Sequence, residues 1–157
     1  MNKLKKMKKR VCIALDTSPA AEKIAAVGYQ HAKALNAELV LVHVVYDVSM
    51  YSVDYDPIMG YSGFLIDSNL KSVKNLKDEA KKFLKATSVH LGDGSIKTKV
   101  MNGPVKDAIL SFVKDKEVDL LVIGTHSHSM LENMFMGNIA LKLVKHCPIP
   151  LLVVPIK

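Results

Sequence analysis

The sequence predicts an α/β domain, an open parallel five-stranded sheet with helices on both faces. Three observations predict it. Strand-like and helix-like segments alternate along the chain, a pattern that lays strands side by side through right-handed crossovers. Two strand segments, ELVLVHVV (38–45) and DLLVIG (119–124), are near-continuous apolar runs, as in strands covered on both faces. The chain has 157 residues, 49% of them hydrophobic, which suits one globular domain with a full core.

The elements follow in order. VCIAL (11–15) is a short, partly β-branched run and forms the first strand. In the DTSP that follows, Ser18 is a suitable N-cap and Pro19 a suitable first helical residue. Ile24, Val27, Ala32 and Leu35 then recur at helical spacing, and Asn36 can end the helix in a left-handed conformation. The second strand is 38–45. Residues 46–67 sustain no period and hold Tyr46, Tyr51, Tyr55 and Tyr61, so they read as a long loop with room for a short helical turn. Such loops are often lids or partner surfaces. Leu70, Val73, Leu76, Ala80, Phe83, Leu84 and Thr87 trace the core stripe of the next helix. The turn GDGS closes it. SIKTKVM (95–101) alternates apolar and polar residues, as a strand near a sheet edge does. After Asn102-Gly103, Pro104 can begin a helix with Val105, Ala108, Ile109, Phe112 and Val113 on its apolar face. DLLVIG is a buried strand, Gly137 to His146 a helix that Pro148 stops, and PLLVVPI the last strand.

Charge and composition narrow the function classes. The net charge is +7, but Lys3, Lys5, Lys6, Lys8, Lys9 and Arg10 supply six positive charges with no acid in residues 1–10, leaving +1 for the rest. The basicity is therefore mainly a short tail, and a nucleic-acid partner is not expected. Lys71, Lys74, Lys77, Lys81, Lys82 and Lys85 read as the solvated face of one helix. No apolar run spans a bilayer and no signal core follows the basic start, so the expected location is the cytoplasm, with no membrane partner. Cys12 and Cys147, each among apolar neighbours, are expected as buried, reduced thiols.

In parallel α/β sheets, ligands sit beyond the carboxyl ends of strands where the strand order reverses. That selects Asp16, Thr17 and Ser18; Tyr46 and Asp47; Asn102 and Gly103; and Gly124 to Ser129. Gly137-Asn138 opens a helix, whose free N–H groups attract anions, and the Asn138 amide can cap the helix or donate to a phosphate oxygen. Asp16 has two roles open to it. It can accept from a ribose hydroxyl or help hold magnesium, or it can cap the turn after the first strand. His126 and His128 lack a metal-ligand partner at recognised spacing, and a structural or phosphate-facing role suits them better. His43, inside an apolar strand, reads as a satisfied core histidine, and His146 favours a helix dipole. There is no GxxxxGK, GxSxG, HExxH or GxGxxG.

VCIALDTSP, LVLVHVV, DLLVIGTHSHS, the helix start MGN and the close HCPIPLLVVP together resemble the universal stress proteins of the UspA type, across residues 9–156. Beyond the basic tail over 1–10, that resemblance implies one Rossmann-like domain over 11–157 with strand order 3-2-1-4-5. Asp16 and Gly124 would then face one cleft. It also implies a cytoplasmic, homodimeric stress-response regulator paired through the last strand, here Leu151, Leu152, Val153, Val154 and Pro155. Nucleotide-binding members hold ATP or ADP. By position, Asp16 meets the ribose with Thr17 beside it, the backbones of Ala14 and Val44 meet adenine, and Gly124, His126, Ser127, Gly137, Asn138 and Ile139 surround the phosphates. Magnesium would ride on the phosphates, with Asp16 as a candidate protein ligand.

The family loop has the form G-x2-G-x9-G followed by Ser or Thr, whereas this chain reads Gly124-x2-Ser127-x9-Gly137-Asn138. Serine at a left-handed position costs about 1 kcal/mol, less than tenfold in binding. Backbone amides remain whatever the side chains are. The expectation is retained ATP or ADP binding. Two alternatives are a nucleotide-free dimeric interaction module that uses the tyrosine-rich loop, and a slow ATPase drawing on His126, His128 or Glu132. Protein partners beyond a second copy are not identified by the sequence.

Overall fold

The computed structural model describes residues 8–45, 62–125 and 138–156, and of 62–73 only the helical backbone. The elements run β1 (Arg10–Ala14), α1 (Ala21–Ala34), β2 (Glu38–Val45), α2 (Ser62–His90), β3 (Lys97–Asn102), α3 (Val105–Asp115), β4 (Leu120–Gly124), α4 (Asn138–His146) and β5 (Leu151–Val154). The five strands form one parallel sheet in the order β3-β2-β1-β4-β5. The order reverses at β1: the chain moves outward to β2 and β3, then crosses back to β4 on the other side.

The core lies on both faces because the central strands carry apolar residues on both sides, at Val11–Ile13 of β1, Leu39–Val42 of β2 and Leu121–Ile123 of β4. Val11, Ile13, Leu39, Leu41 and Val122 pack under α1 and α2 with Ile24 and Leu84. Cys12, Val40, Val42, Leu121 and Ile123 pack under α3 and α4 with Ile109, Val113 and Leu143. Gly28 sets how closely α1 approaches the sheet. A Cβ there would lie 2.4 Å from Ile13 Cδ1 and 2.7 Å from its Cγ1. That contact explains a glycine in mid-helix, where it costs about 1 kcal/mol relative to alanine.

Several local expectations need correction. Ser18 does not cap α1. Its amide donates to Asp16 Oδ1 (3.0 Å) and its carbonyl accepts from the Ala21 amide, so a turn occupies 16–20 and the helix starts at Ala21, past Pro19. Pro104 is the N-cap of α3 with an extended ψ of 124°, and the helix proper begins at Val105. β3 begins at Lys97 because Asp93 Oδ1 takes both the amide and the hydroxyl of Ser95 into a turn. Arg10 belongs to β1 rather than the tail: its amide donates to Asp119 Oδ2 and its guanidinium to Glu38 and the Lys116 carbonyl. Leu35 is 43% exposed beyond the end of α1. Pro155 lies just past β5, and its carbonyl accepts from Lys23 Nζ. α2 reaches back to Ser62, so 62–67 are helical rather than loop, while 46–61 lie outside the described residues.

Other features match the local signals. Asn36 has φ 49°, with its amide on the Lys33 carbonyl and the Ala37 amide on Ala32, the double bond that closes a helix at a left-handed residue. Cys12 is fully buried as expected, but Cys147, also expected buried, is only half-buried because it lies just past the end of α4. Burial, and secondarily Cys147, push the Cys12 thiol far above the ordinary range. A raised thiol keeps its full stabilising effect below the unfolded value of about 8.5, and that effect is lost as pH rises above it, by up to about 1.4 kcal/mol per pH unit. Urea unfolding across about pH 8–10.5 should therefore show a decline that is shallower by one proton in Cys12→Val.

Candidate functional site

The carboxyl ends of β1, β2 and β4 open into a cavity of about 540 Å³, within the usual range for small-molecule sites. Ala14, Asp16, Thr17, Val44, Gly124 and Ile139 all line it. Apolar side chains from both helical layers complete the wall, among them Ile24 and Phe83 on one side and Ile109 and Leu143 on the other. Asn138 is the exposed first residue of α4 and is not part of the lining. His126, Ser127 and Gly137 lie outside the described residues, as do His128 and Glu132.

Asp16 is the distinctive polar group. One carboxylate oxygen, Oδ1, holds the Ser18 amide, as the turn-capping role requires. The other, Oδ2, is inaccessible to solvent and has no hydrogen-bond partner among the described residues. An unpaired buried acceptor costs about 1–3 kcal/mol, more when charged, and Asp16 lines the cavity. A hydroxyl donor seated in the cavity would satisfy it once the atoms that cover it give way. The two roles weighed for Asp16 thus use different oxygens.

Gly124 has a structural reason of its own to be glycine. A Cβ there would sit 2.5 Å from the Cδ1 atoms of both Ile24 and Ile156. A side chain there would make those isoleucine ends shift, so the packing of α1 and the C-terminal residues over β4 favours a small residue whether or not a phosphate approaches.

Backbone parity places Val44. Glu38 N–H bonds the Lys9 carbonyl and Leu15 N–H the Val42 carbonyl, so even-numbered residues of β2 face β1, while Val45 serves β3 through the Gly103 amide. The β1–β2 register ends at Ala14–Val42. Val44 is the next residue facing that side, where β1 has already turned away.

Local reading missed Glu79 and Phe83 as cavity residues and read His43 only as core. Leu76, placed in the helix core stripe, is 39% exposed and lines the cavity as well. Nothing local marks α2 as a cavity wall, because that depends on how the helix crosses β2 and β3. Among the described residues there is no cluster of three or more His, Cys, Asp or Glu suited to a metal, and no helix long and apolar enough to cross a membrane.

The sequence profile of the Universal stress protein family matches residues 7–155. The chain belongs to that family. Universal stress protein A homolog 1 of Coxiella burnetii is 25% identical over 126 residues, covering 80% of this chain and 82% of the relative. Among solved folds, protein MJ0577, a universal stress protein of Methanocaldococcus jannaschii, superposes with a TM-score of 0.73 at 24% identity, covering 96% of this chain and 98% of that one. A universal stress protein of Arabidopsis thaliana, solved with AMP bound, superposes with a TM-score of 0.60 at 17% identity, covering 95% and 92%. These likenesses establish for this universal stress protein the same Rossmann-like sheet and the same helical layers.

Proposed function

We propose that this universal stress protein binds an adenine nucleotide, ATP, ADP or AMP, in the cavity at the ends of β1 and β4. The observation that carries the reading is the unpaired, buried Asp16 Oδ2 in a cavity otherwise lined mainly by apolar groups. A ribose offers hydroxyl donors to such an oxygen, and the apolar walls suit the flat face of a base. The Arabidopsis relative with AMP bound adds support by analogy. The phosphates would extend past Gly124 toward the start of α4, where helix N–H groups attract anions, with magnesium riding on them.

In the same reading the protein acts as a dimeric stress regulator. β5 is an edge strand, and Leu141 and Val144 on the neighbouring α4 are 43% and 48% exposed. A second copy pairing along β5 would extend the sheet and cover those side chains. The nucleotide-free interaction module stays as a second reading because packing alone accounts for Gly124. Calorimetric titration with AMP, ADP and magnesium-ATP separates the two. The proposal expects a dissociation constant on the order of micromolar, near −8 kcal/mol. Absence of heat at millimolar nucleotide rejects it in favour of the module.

A further inference from the structure

The end of the β1–β2 ladder contains a substitution of one hydrogen bond for another. In a parallel pair the rungs repeat evenly. After Leu15 N–H to the Val42 carbonyl, the next rung would run from Val44 N–H to the Leu15 carbonyl. The paired register stops before it, at Ala14–Val42. The Leu15 carbonyl instead meets His43 Nδ1 at 2.6 Å. A carbonyl only accepts, so Nδ1 carries the proton there.

We infer that His43 is a positioning residue for the cavity: by occupying the Leu15 carbonyl it keeps the Val44 N–H free to face the ligand and holds the chain where Asp16 leaves β1. The inference rests on the nucleotide reading for the identity of the ligand, but not for the hydrogen-bond exchange itself. Two features support it. His43 and Val44 both line the cavity, as does Asp16 immediately after Leu15. Val44 has the parity that turns its amide toward the space beyond β1. The imidazole therefore does more than satisfy itself in the core. It replaces a backbone donor, and the displaced donor becomes available to a base edge.

An ordinary ladder at this point would lose both effects. If Val44 N–H bonded Leu15, β1 would stay paired one residue longer. The amide would be spent, and Asp16 would be drawn toward β2. The side chain that prevents this needs a donor at the position of Nδ1. Asparagine places its amide nitrogen the same number of bonds from Cβ, whereas leucine has similar bulk and no donor.

The test starts with the ligand-free parent. Amide hydrogen exchange at Val44 should be at least tenfold faster than at Val42, whose place in the ladder is secure. In His43→Leu the Val44 amide should become protected as the rung forms, and AMP affinity should fall at least tenfold. In His43→Asn both quantities should stay within about threefold of the parent. Val44 protection equal to that of Val42 in the parent overturns the inference without any variant, so a leucine variant that fails to fold does not leave it open. Protection gained in His43→Leu with AMP affinity unchanged, or affinity lost equally in the asparagine and leucine variants, also overturns it. A parent that binds no nucleotide rejects the proposed function, while the exchange of Val44 still decides the hydrogen-bond substitution.

Discussion

Truncating Leu84 to alanine is expected to lower the unfolding free energy by about 2–5 kcal/mol. Leu84 is fully buried and belongs to the cluster beneath α1 and α2. Among the described side chains of α2, the other buried ones are Ala80 and Ser88, both small. The Ser88 hydroxyl donates back to the Lys85 carbonyl of its own helix (2.7 Å). Leu84 is thus the main apolar anchor of α2 on the sheet, helped by the partly buried Phe83. Removing its isobutyl group loses transfer energy and leaves a cavity that the surrounding β-branched side chains fill poorly. Urea unfolding should show a lower midpoint with an unchanged slope. Val89, five residues on and 67% exposed, supplies the control: Val89→Ala should stay within about 0.5 kcal/mol of the parent. A Leu84→Ala loss below about 1 kcal/mol would mean that α2 is not held by this contact.

The second large effect concerns binding. Asp16→Asn should weaken adenine-nucleotide binding by about 10–100-fold, the loss of a hydrogen bond to a charged acceptor worth about 1.5–3 kcal/mol. The substitution separates the two oxygens. An asparagine side-chain carbonyl still accepts from the Ser18 amide, so the turn before α1 survives. The atom replacing Oδ2 becomes a donor and no longer accepts from a ribose hydroxyl. Stability should change little, or rise, because a buried unpaired carboxylate oxygen disappears from the ligand-free protein. Calorimetry with AMP and urea unfolding on the same samples measures both sides. Equal affinity in parent and variant would place the ligand away from Oδ2 and remove the main support for the proposed site.

Much of the fold was legible along the chain, for identifiable reasons. β2 matches 38–45 to the residue because a strand buried on both faces is a near-continuous apolar run, here broken only by Glu38 at its start and His43. Asn36 announces the end of α1 because few residues other than glycine adopt a positive φ cheaply. β3 reads as an edge strand because Lys97 and Lys99 need an outward side. Asp16, Thr17 and Gly124 were legible as strand-end positions, whereas Ala14, Val44 and Ile139 came only from the family resemblance. All six line one cavity, because a parallel sheet brings its carboxyl ends to one edge.

What stayed hidden involves competition between groups for the same partner or the same space, near in sequence in one case and distant in the other. Ser18 carries the right chemistry for a cap, yet Asp16 takes its amide and moves the helix start to Ala21. Gly124 reads as a ligand glycine, and only the structure adds that Ile24 and Ile156 crowd the place a Cβ would take.

Composition and periodicity alone carried the fold class, the strands of the core and the turns, since each depends on burial or backbone preference within a few residues. The family resemblance carried the strand order, which local periodicity does not encode. Three-dimensional packing settled which oxygen of Asp16 remains unpaired, which glycine is needed for packing, and that the Leu15 carbonyl bonds His43 rather than Val44. Those outcomes depend on partners brought together across the sheet, and a hydrogen-bonding group has one best partner only once all its neighbours are in place.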